Sequence, residues 1–255
     1  MLLGIDGCVQ TAAGGNGGFL RALSSIALQR YRFVQVCGVD NAFLDLLKPE
    51  MLGFASLEGL CVVNGVLRPL PGERVGICGA RTVSTDMQFP GYMSGSDDNN
   101  VDVLECASAT VNTSGSASAN VLPNLPTLSP TVFEYSEIDL SRVAPDRQFC
   151  NILHHLFRAD FLAPLLAFEL ATGKSATPPH LALKRVPYLD SVSGALVEPS
   201  TPNALKLEHF IFDYFHFCAP ARFGCFEVPR TEFVPLKEPS DVALVLSAWA
   251  ARIMQ

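Results

Sequence analysis

No run of this 255-residue chain is apolar for long enough to cross a bilayer, since the stretch from Phe161 to Leu170 already contains Pro164 and Glu169. The eight cysteines include no Cys-x-x-Cys pair. Positions such as Cys8, Cys37, Cys61, Cys78 and Cys150 show no zinc-ligand spacing, so they read as reduced, mostly buried thiols. Basic clusters are missing too: 25 acidic and 18 basic residues leave a net charge of −7, which disfavours nonspecific binding to nucleic acid. The start, Met1 to Asp6, has no basic flank and reaches an acid too early for a signal peptide, so the expected compartment is the cytoplasm. Neither a Gly-x-Gly-x-x-Gly fingerprint nor a P-loop occurs. His154 and His155 are adjacent, so their rings cannot share one metal, and no third ligand is spaced to help.

What is present reads as an α/β core interrupted by a polar insertion. Phe33 to Val39 and Leu60 to Val63 have the continuous apolar character of strands buried on both faces, and Arg74 to Cys78 reads as another short one. From about Ser84 to Pro130 the chain turns rich in Ser, Asn, Asp, Thr and Pro, a composition that cannot bury enough apolar surface to order itself. Its Asp97-Asp98-Asn99-Asn100 cluster reads as a solvated loop. Val132 to Ile138 resumes the sheet, with Glu134 and Ser136 on one face and Phe133 and Tyr135 on the other; Phe149 to Leu156 is ambiguous. A helix is expected from Asp160 through Leu170, stopped by Gly173. A hairpin is expected around Asp190 to Gly194. Asp241 to Met254 reads as a closing helix with Val242, Leu246, Trp249 and Ile253 on one face.

Three segments carry possible chemistry. Gly14-Gly15-Asn16-Gly17-Gly18 precedes Phe19, Leu23 and Ile26 at helical spacing; such a loop either cradles an anion with free N–H groups or is an ordinary turn. Asp40 closes the Phe33 to Val39 run, where a carboxylate either reaches a ligand beyond the strand end or caps the next helix. Pro202 to Asp213 sets Lys206, a point charge suited to phosphate, before Phe210 and Phe212; on a strand both rings would face one side, as a ligand wall or as plain core. His209 and His216 flank the latter segment and could touch a phosphate, or be solvated or satisfied in the core.

In order, Gly15-Asn16-Gly17-Gly18 with Arg21-Ala22-Leu23, Val39-Asp40-Asn41, Gly53-Phe54, Val75-Gly76 and Glu134 to Ile138 resemble the UDP-N-acetylglucosamine pyrophosphorylase family of uridylyltransferases. The resemblance continues through Asn151-Ile152, Val186 to Asp190, Pro202-Asn203, Lys206 to Glu208, Phe210 to Asp213 and Pro235-Leu236-Lys237. It implies an incomplete Rossmann-like, GT-A-like nucleotidyltransferase fold, a mixed sheet flanked by helices. The implied organisation is a partial core over 1–83, a disordered insertion over 84–130, a sugar-binding half over 131–239 and a closing helix over 240–255. The family's amino-terminal Gly-Gly-x-Gly-Thr-Arg-Leu-Gly loop, its uracil-contacting segment and its small carboxyl-terminal β domain have no counterpart here.

The chemistry the resemblance implies is attack by N-acetylglucosamine 1-phosphate on the α-phosphorus of UTP with release of pyrophosphate, positioned by Mg2+ and cationic side chains. Asp40 would help hold the metal; Gly15 and Asn16 would face the nucleotide; Gly76, Glu134 and Asn151 would line the sugar; Phe210 and Phe212 would wall the acetyl pocket; Lys206 and Lys237 would approach phosphates. Without the missing loop, turnover by this chain should be nearly abolished, which makes a noncatalytic UDP-sugar-binding remnant the alternative. A pyrophosphorylase acting on glucose or galactose 1-phosphate is the third reading. Two departures bear on the site: the family's Gly-Asn-Ile-x-Asn-His is Cys150 to His155 here, and Ala204 replaces a glycine after Pro202-Asn203, a strained exchange if that position needs positive φ.

Overall fold

The computed structural model describes residues 14–254 apart from 42, 71, 72, 74, 84–126, 135, 136, 140, 142 and 145–147. Cys8, the polar stretch up to position 126, and Tyr135 and Ser136 lie outside the described residues. In chain order the elements are α1 (Phe19–Ala22), β1 (Phe33–Cys37), α2 (Pro49–Leu57), β2 (Val62–Leu67), β3 (Ile77–Val83), β4 (Thr127–Phe133) and β5 (Cys150–Arg158). They continue with α3 (Ala159–Thr172), β6 (His180–Lys184), β7 (Tyr188–Leu189), β8 (Leu196–Val197), β9 (Ala204–Glu208), β10 (Phe223–Glu227) and α4 (Val242–Ile253). Among the described residues no helix is long and apolar enough to cross a membrane.

The described chain divides into two compact units: residues 28–163 with 215–255, and residues 14–27 with 164–214, so the division falls within α3. The larger unit is built on a six-stranded sheet in the order β10-β2-β5-β3-β4, with β1 also paired to β5. β10 runs parallel to β2, and every other pairing is antiparallel. The stretch from Phe149 that the sequence left open is the central strand β5, because Ile152 and the run from His154 to Phe157 are buried on both faces of the sheet. β2 is buried at all six positions and lies along one edge of β5. The other edge is shared: β1 meets β5 from His154 to Arg158, and β3 meets it only at Cys150.

The strand boundaries differ from the expected ones. β1 stops at Cys37 because the chain turns at Val39 and Asp40, and β3 begins at Ile77, after Gly76 has bonded β5. β4 begins at Thr127, inside the polar stretch, and ends at Phe133, so Glu134 stands just past the strand rather than within it. The register of β2 shifts at Gly65, where a side chain would approach within 2.9 Å of the His154 ring; only glycine leaves that ring room.

α2 begins with Pro49 at its first turn and Glu50 near its positive end, and lays Met51 and Ala55, one turn apart, on a cluster with Leu60, Val63 and Leu156. Each such large side chain contributes about 2 kcal/mol on burial. A second cluster joins Leu67, Val75, Ile77, Cys150, Ile152, Val228 and Phe233 at the other end of the strands. α4 forms where expected, yet the face carrying Val242, Leu246, Trp249 and Ile253 is exposed.

The smaller unit holds α1, most of α3 and two short ribbons, β6 with β9 and β7 with β8. α3 ends as anticipated at Gly173, whose φ is +69° and whose N–H donates to the Glu169 carbonyl. The hairpin pairs Tyr188 with Val197 and Leu189 with Leu196 around a turn that Asp190 secures, its carboxylate accepting from Val192 and Ser193 N–H. Those two donors hold the Asp190 carboxyl below its ordinary range. Ala204 lies in the extended strand β9, so the glycine lost there leaves no strain.

Candidate functional site

The ten candidate positions divide equally between the two units. In the larger one, Asp40, Gly76, Glu134, Asn151 and Lys237 are linked around the place where β1 ends and β3 begins along the same edge of β5. Asn151 N–H donates to the Gly76 carbonyl at 2.7 Å, and Ile77 pairs both with Phe133 and with Cys150, so Gly76 is flanked by Glu134 and Asn151. A Cβ placed on Gly76 would lie 3.9 Å from Glu134 Oε1. On the β1 side, Gly38 N–H donates to the Leu153 carbonyl at 2.9 Å. Asp40 follows two residues later, its carboxylate 3.9 Å from Lys237 Nζ and its carbonyl accepting from Leu236 N–H at 2.7 Å.

Between these two strand ends β5 leaves regular geometry. Leu153 has a φ of +52°, a left-handed conformation costly for a branched side chain, and the Asn151 side chain supports it by accepting the Leu153 N–H at Oδ1, 3.1 Å away. That bond commits the amide oxygen of Asn151. Its Nδ2 has no partner among the described residues, so the group Asn151 can offer a ligand is a pair of N–H donors.

Sequence reasoning missed the residue that ties this loop down. Asn41 is buried; its Nδ2 donates to the Glu232 carbonyl at 2.7 Å and its Oδ1 accepts Val234 N–H at 3.1 Å, anchoring the segment that carries Lys237 to the one that carries Asp40. Lys48 reinforces the same segment through Glu232, whose hydrogen bond holds the Lys48 ammonium above its ordinary range. The asparagine directly after Asp40 was the available signal. Cys150, where the family has glycine, donates its thiol to the Leu67 carbonyl, and burial pushes its pKa up to about 12, so it is inert as a nucleophile.

The smaller unit collects Gly15, Asn16, Lys206, Phe210 and Phe212. The glycine loop opens only a turn of tight helix over Asn16–Gly18 and a four-residue α1, too short to hold an anion at its end. It instead grips the His209 peptide: His209 N–H donates to the Gly14 carbonyl at 2.7 Å and Gly17 N–H to the His209 carbonyl at 2.8 Å. Gly15 has a φ of +85°, and a Cβ on Gly17 would stand 2.7 Å from His209, so the approach demands glycine at both positions. Asn16 Oδ1 accepts Ile211 N–H at 2.9 Å.

Phe210 and Phe212 do meet, with ring centroids 5.0 Å apart and planes 20° from parallel, but not as neighbours on a strand. β9 ends at Glu208, and a tight helical segment over Ile211–Phe217 brings the rings together after Phe210 N–H caps onto Asp213. Lys206 pairs with Glu208 two residues along the same strand at 2.7 Å, which holds the Glu208 carboxyl low. In the same unit Glu169 is buried and accepts Tyr214 Oη–H at 2.8 Å, Ala176 N–H at 2.9 Å and Arg21 Nε–H at 3.3 Å. Burial and that carboxylate push the Tyr214 phenol well up.

Four of the histidines have polar side-chain partners, His180 meeting Asp213 at 2.8 Å with its ring 4.7 Å from Phe210. His209 meets Thr177 and His216 meets Ser129, whereas His154 reaches Gln35. Among the described residues no group of three or more His, Cys, Asp and Glu side chains is arranged to hold a metal ion.

No protein-family profile matches the chain. Individual relatives do. A Schizosaccharomyces pombe protein named "Probable UDP-N-acetylglucosamine pyrophosphorylase" is 30% identical over 243 residues, covering 92% of this chain and 43% of the relative. The human "UDP-N-acetylhexosamine pyrophosphorylase-like protein 1" is 32% identical over 251 residues, covering 91% and 39%. The chain thus spans about two fifths of the length of these curated relatives. Among solved structures, the UDP-N-acetylglucosamine pyrophosphorylase of Trypanosoma brucei shares the fold at a TM-score of 0.58 and 21% identity, over 94% of this chain and 43% of that one. A Leishmania major UDP-glucose pyrophosphorylase shares it at 0.56 and 19%, over 91% and 41%.

Proposed function

We propose that this chain, a partial-length relative of the UDP-N-acetylglucosamine pyrophosphorylases, carries the sugar-recognising part of a uridylyltransferase that forms UDP-N-acetylglucosamine and pyrophosphate from UTP and N-acetylglucosamine 1-phosphate. The observation that supports it is the linked set Lys237, Asp40, Asn151, Gly76 and Glu134 at the break between β1 and β3. Each member has chemistry suited to one part of such a substrate. Glu134 offers carboxylate oxygens to sugar hydroxyls, and the N–H donors left on Asn151 match the carbonyl of an N-acetyl group, which glucose lacks. Lys237 brings a cation, exposed enough to meet a phosphate.

Asp40 is the one carboxylate expected to hold a metal. A single half-exposed carboxylate fits Mg2+, which takes most of its ligands from phosphates and water, and bound there the ion would offset phosphate charge.

Incubation of the purified chain with UTP, Mg2+ and N-acetylglucosamine 1-phosphate tests the reading. Pyrophosphate release that is lost on Asp40→Asn supports transfer at this site. Release that survives Asp40→Asn, or a preference for glucose 1-phosphate, counts against it. A second reading, UDP-sugar binding without turnover, is favoured by Lys206, whose ammonium is occupied by Glu208. Calorimetric binding of UDP-N-acetylglucosamine without pyrophosphate release would select it.

A further inference from the structure

The end of the sheet opposite the candidate site carries a concentration of guanidinium groups that the proposed reaction does not use. β1 and β5 are antiparallel with Phe33 opposite Arg158, so the residues entering β1 and leaving β5 meet far from Asp40, which follows the other end of β1. There a depression of about 370 Å³ is lined by Gln29, Arg30, Tyr31, Arg32, Arg158 and Asp160.

We propose that this depression is a binding site for a phosphate-bearing small molecule, separate from the sugar site. Three arginines face one carboxylate there, in a chain whose net charge is −7, so the local sign runs against the global one. Asp160 is committed: both its oxygens accept from Arg158, a paired arrangement that holds the Asp160 carboxyl low and fixes the Arg158 guanidinium in place. Arg32 is steadied by its own neighbour, its guanidinium carbon 5.5 Å from the centre of the Phe33 ring, and its carbonyl accepts Ala159 N–H at 3.0 Å. Neither Arg30 nor Arg32 has a carboxylate partner among the described residues.

Arg222 belongs to the same end of the sheet. Its carbonyl accepts Cys61 N–H while the Cys61 carbonyl accepts Arg158 N–H, both at 2.8 Å. Guanidinium groups hold phosphate oxygens through paired N–H bonds, which a lone ammonium cannot do, and Tyr31 adds an exposed ring and hydroxyl at the rim. The volume lies within the range of small-ligand pockets.

The test is calorimetric titration of the full chain with inorganic pyrophosphate at low ionic strength, repeated for Arg30→Gln/Arg32→Gln and for Lys237→Ala. The expected result is saturable binding that weakens by about tenfold or more in the double arginine variant, the loss of two charge-assisted contacts, and persists in Lys237→Ala. Both arginines are exposed, so the double variant should keep the wild-type melting curve; if it does not, Arg30→Gln alone replaces it in the comparison. Unchanged affinity in the arginine variant, loss only in Lys237→Ala, or no saturable binding by the wild type would overturn the proposal.

Discussion

Replacing His155 by leucine should make the protein more stable and less sensitive to acid. His155 is fully buried in β5, with its ring 5.2 Å from Phe215 and 5.9 Å from Phe157, and neither ring nitrogen finds a partner among the described residues. Each buried polar atom left unpaired costs about 1–3 kcal/mol, and leucine removes both at a similar volume. Lost ring contacts and a changed shape return about 1 kcal/mol of that, for a net gain of about 1–5 kcal/mol at pH 7.5.

Burial also lowers the His155 pKa from 6.5 to about 3, because the charged ring has no compensation and His154 beside it adds repulsion. Between those two values the unfolded chain binds more protons than the folded one, so this residue's contribution is lost as pH falls from about 6.5 and is fully lost near 3. From pH 7.5 to 5.0 the loss amounts to about 2 kcal/mol. Burial lowers the His154 pKa as well, so some acid sensitivity stays in the variant and the informative quantity is the difference between the two proteins. Urea unfolding followed by far-UV circular dichroism at pH 7.5 and 5.0 measures it. Equal losses for wild type and His155→Leu, or a variant less stable at both pH values, would refute the reasoning.

Gly15→Ala should destabilise the smaller unit by about 2 kcal/mol or more, because φ at this position is +85° and the new methyl group meets the His209 backbone; thermal unfolding checks it. Glu169→Leu strands the Ala176 N–H and leaves Tyr214 Oη and Arg21 with only the Gly17 and Gly173 carbonyls, and should cost about 3 kcal/mol, read by the same melting experiment, with Glu169→Gln less damaging. Asn151→Ala should weaken binding of UDP-N-acetylglucosamine by about tenfold relative to UDP-glucose, measured by calorimetry, since only the former offers an acetyl carbonyl to Nδ2.

The α/β class was legible because the strands around Val34 and Val63 are largely apolar, although only β2 is buried throughout and β1, paired among the described residues with β5 alone, is half-buried rather than covered on both faces; α3 was legible from Gly173, which stops it at positive φ. The register of the sheet was not. Two histidines in β5 obscured a largely buried strand, since nothing local shows that Gly65 makes room for one ring and aromatic neighbours enclose the other. Phe210 and Phe212 have strand spacing, yet Asp213 caps Phe210 N–H and turns the chain into a tight helix, so a local side-chain bond outweighed the alternating pattern. Motif order singled out Asp40, Asn151 and Lys237, but what joins their segments in the structure, the Gly38 N–H on the Leu153 carbonyl and buried Asn41 on Glu232 and Val234, depends on contacts more than a hundred residues apart in sequence.

Titrating an isotope-labelled chain with N-acetylglucosamine 1-phosphate and following backbone amide shifts by NMR tests the central claim most directly. Saturable shifts at Gly76, Glu134, Asn151 and the Asp40 loop, reduced in Asn151→Ala, are the predicted result. Shifts gathered on another face, or an unresponsive break between β1 and β3 while binding is saturated, would contradict it.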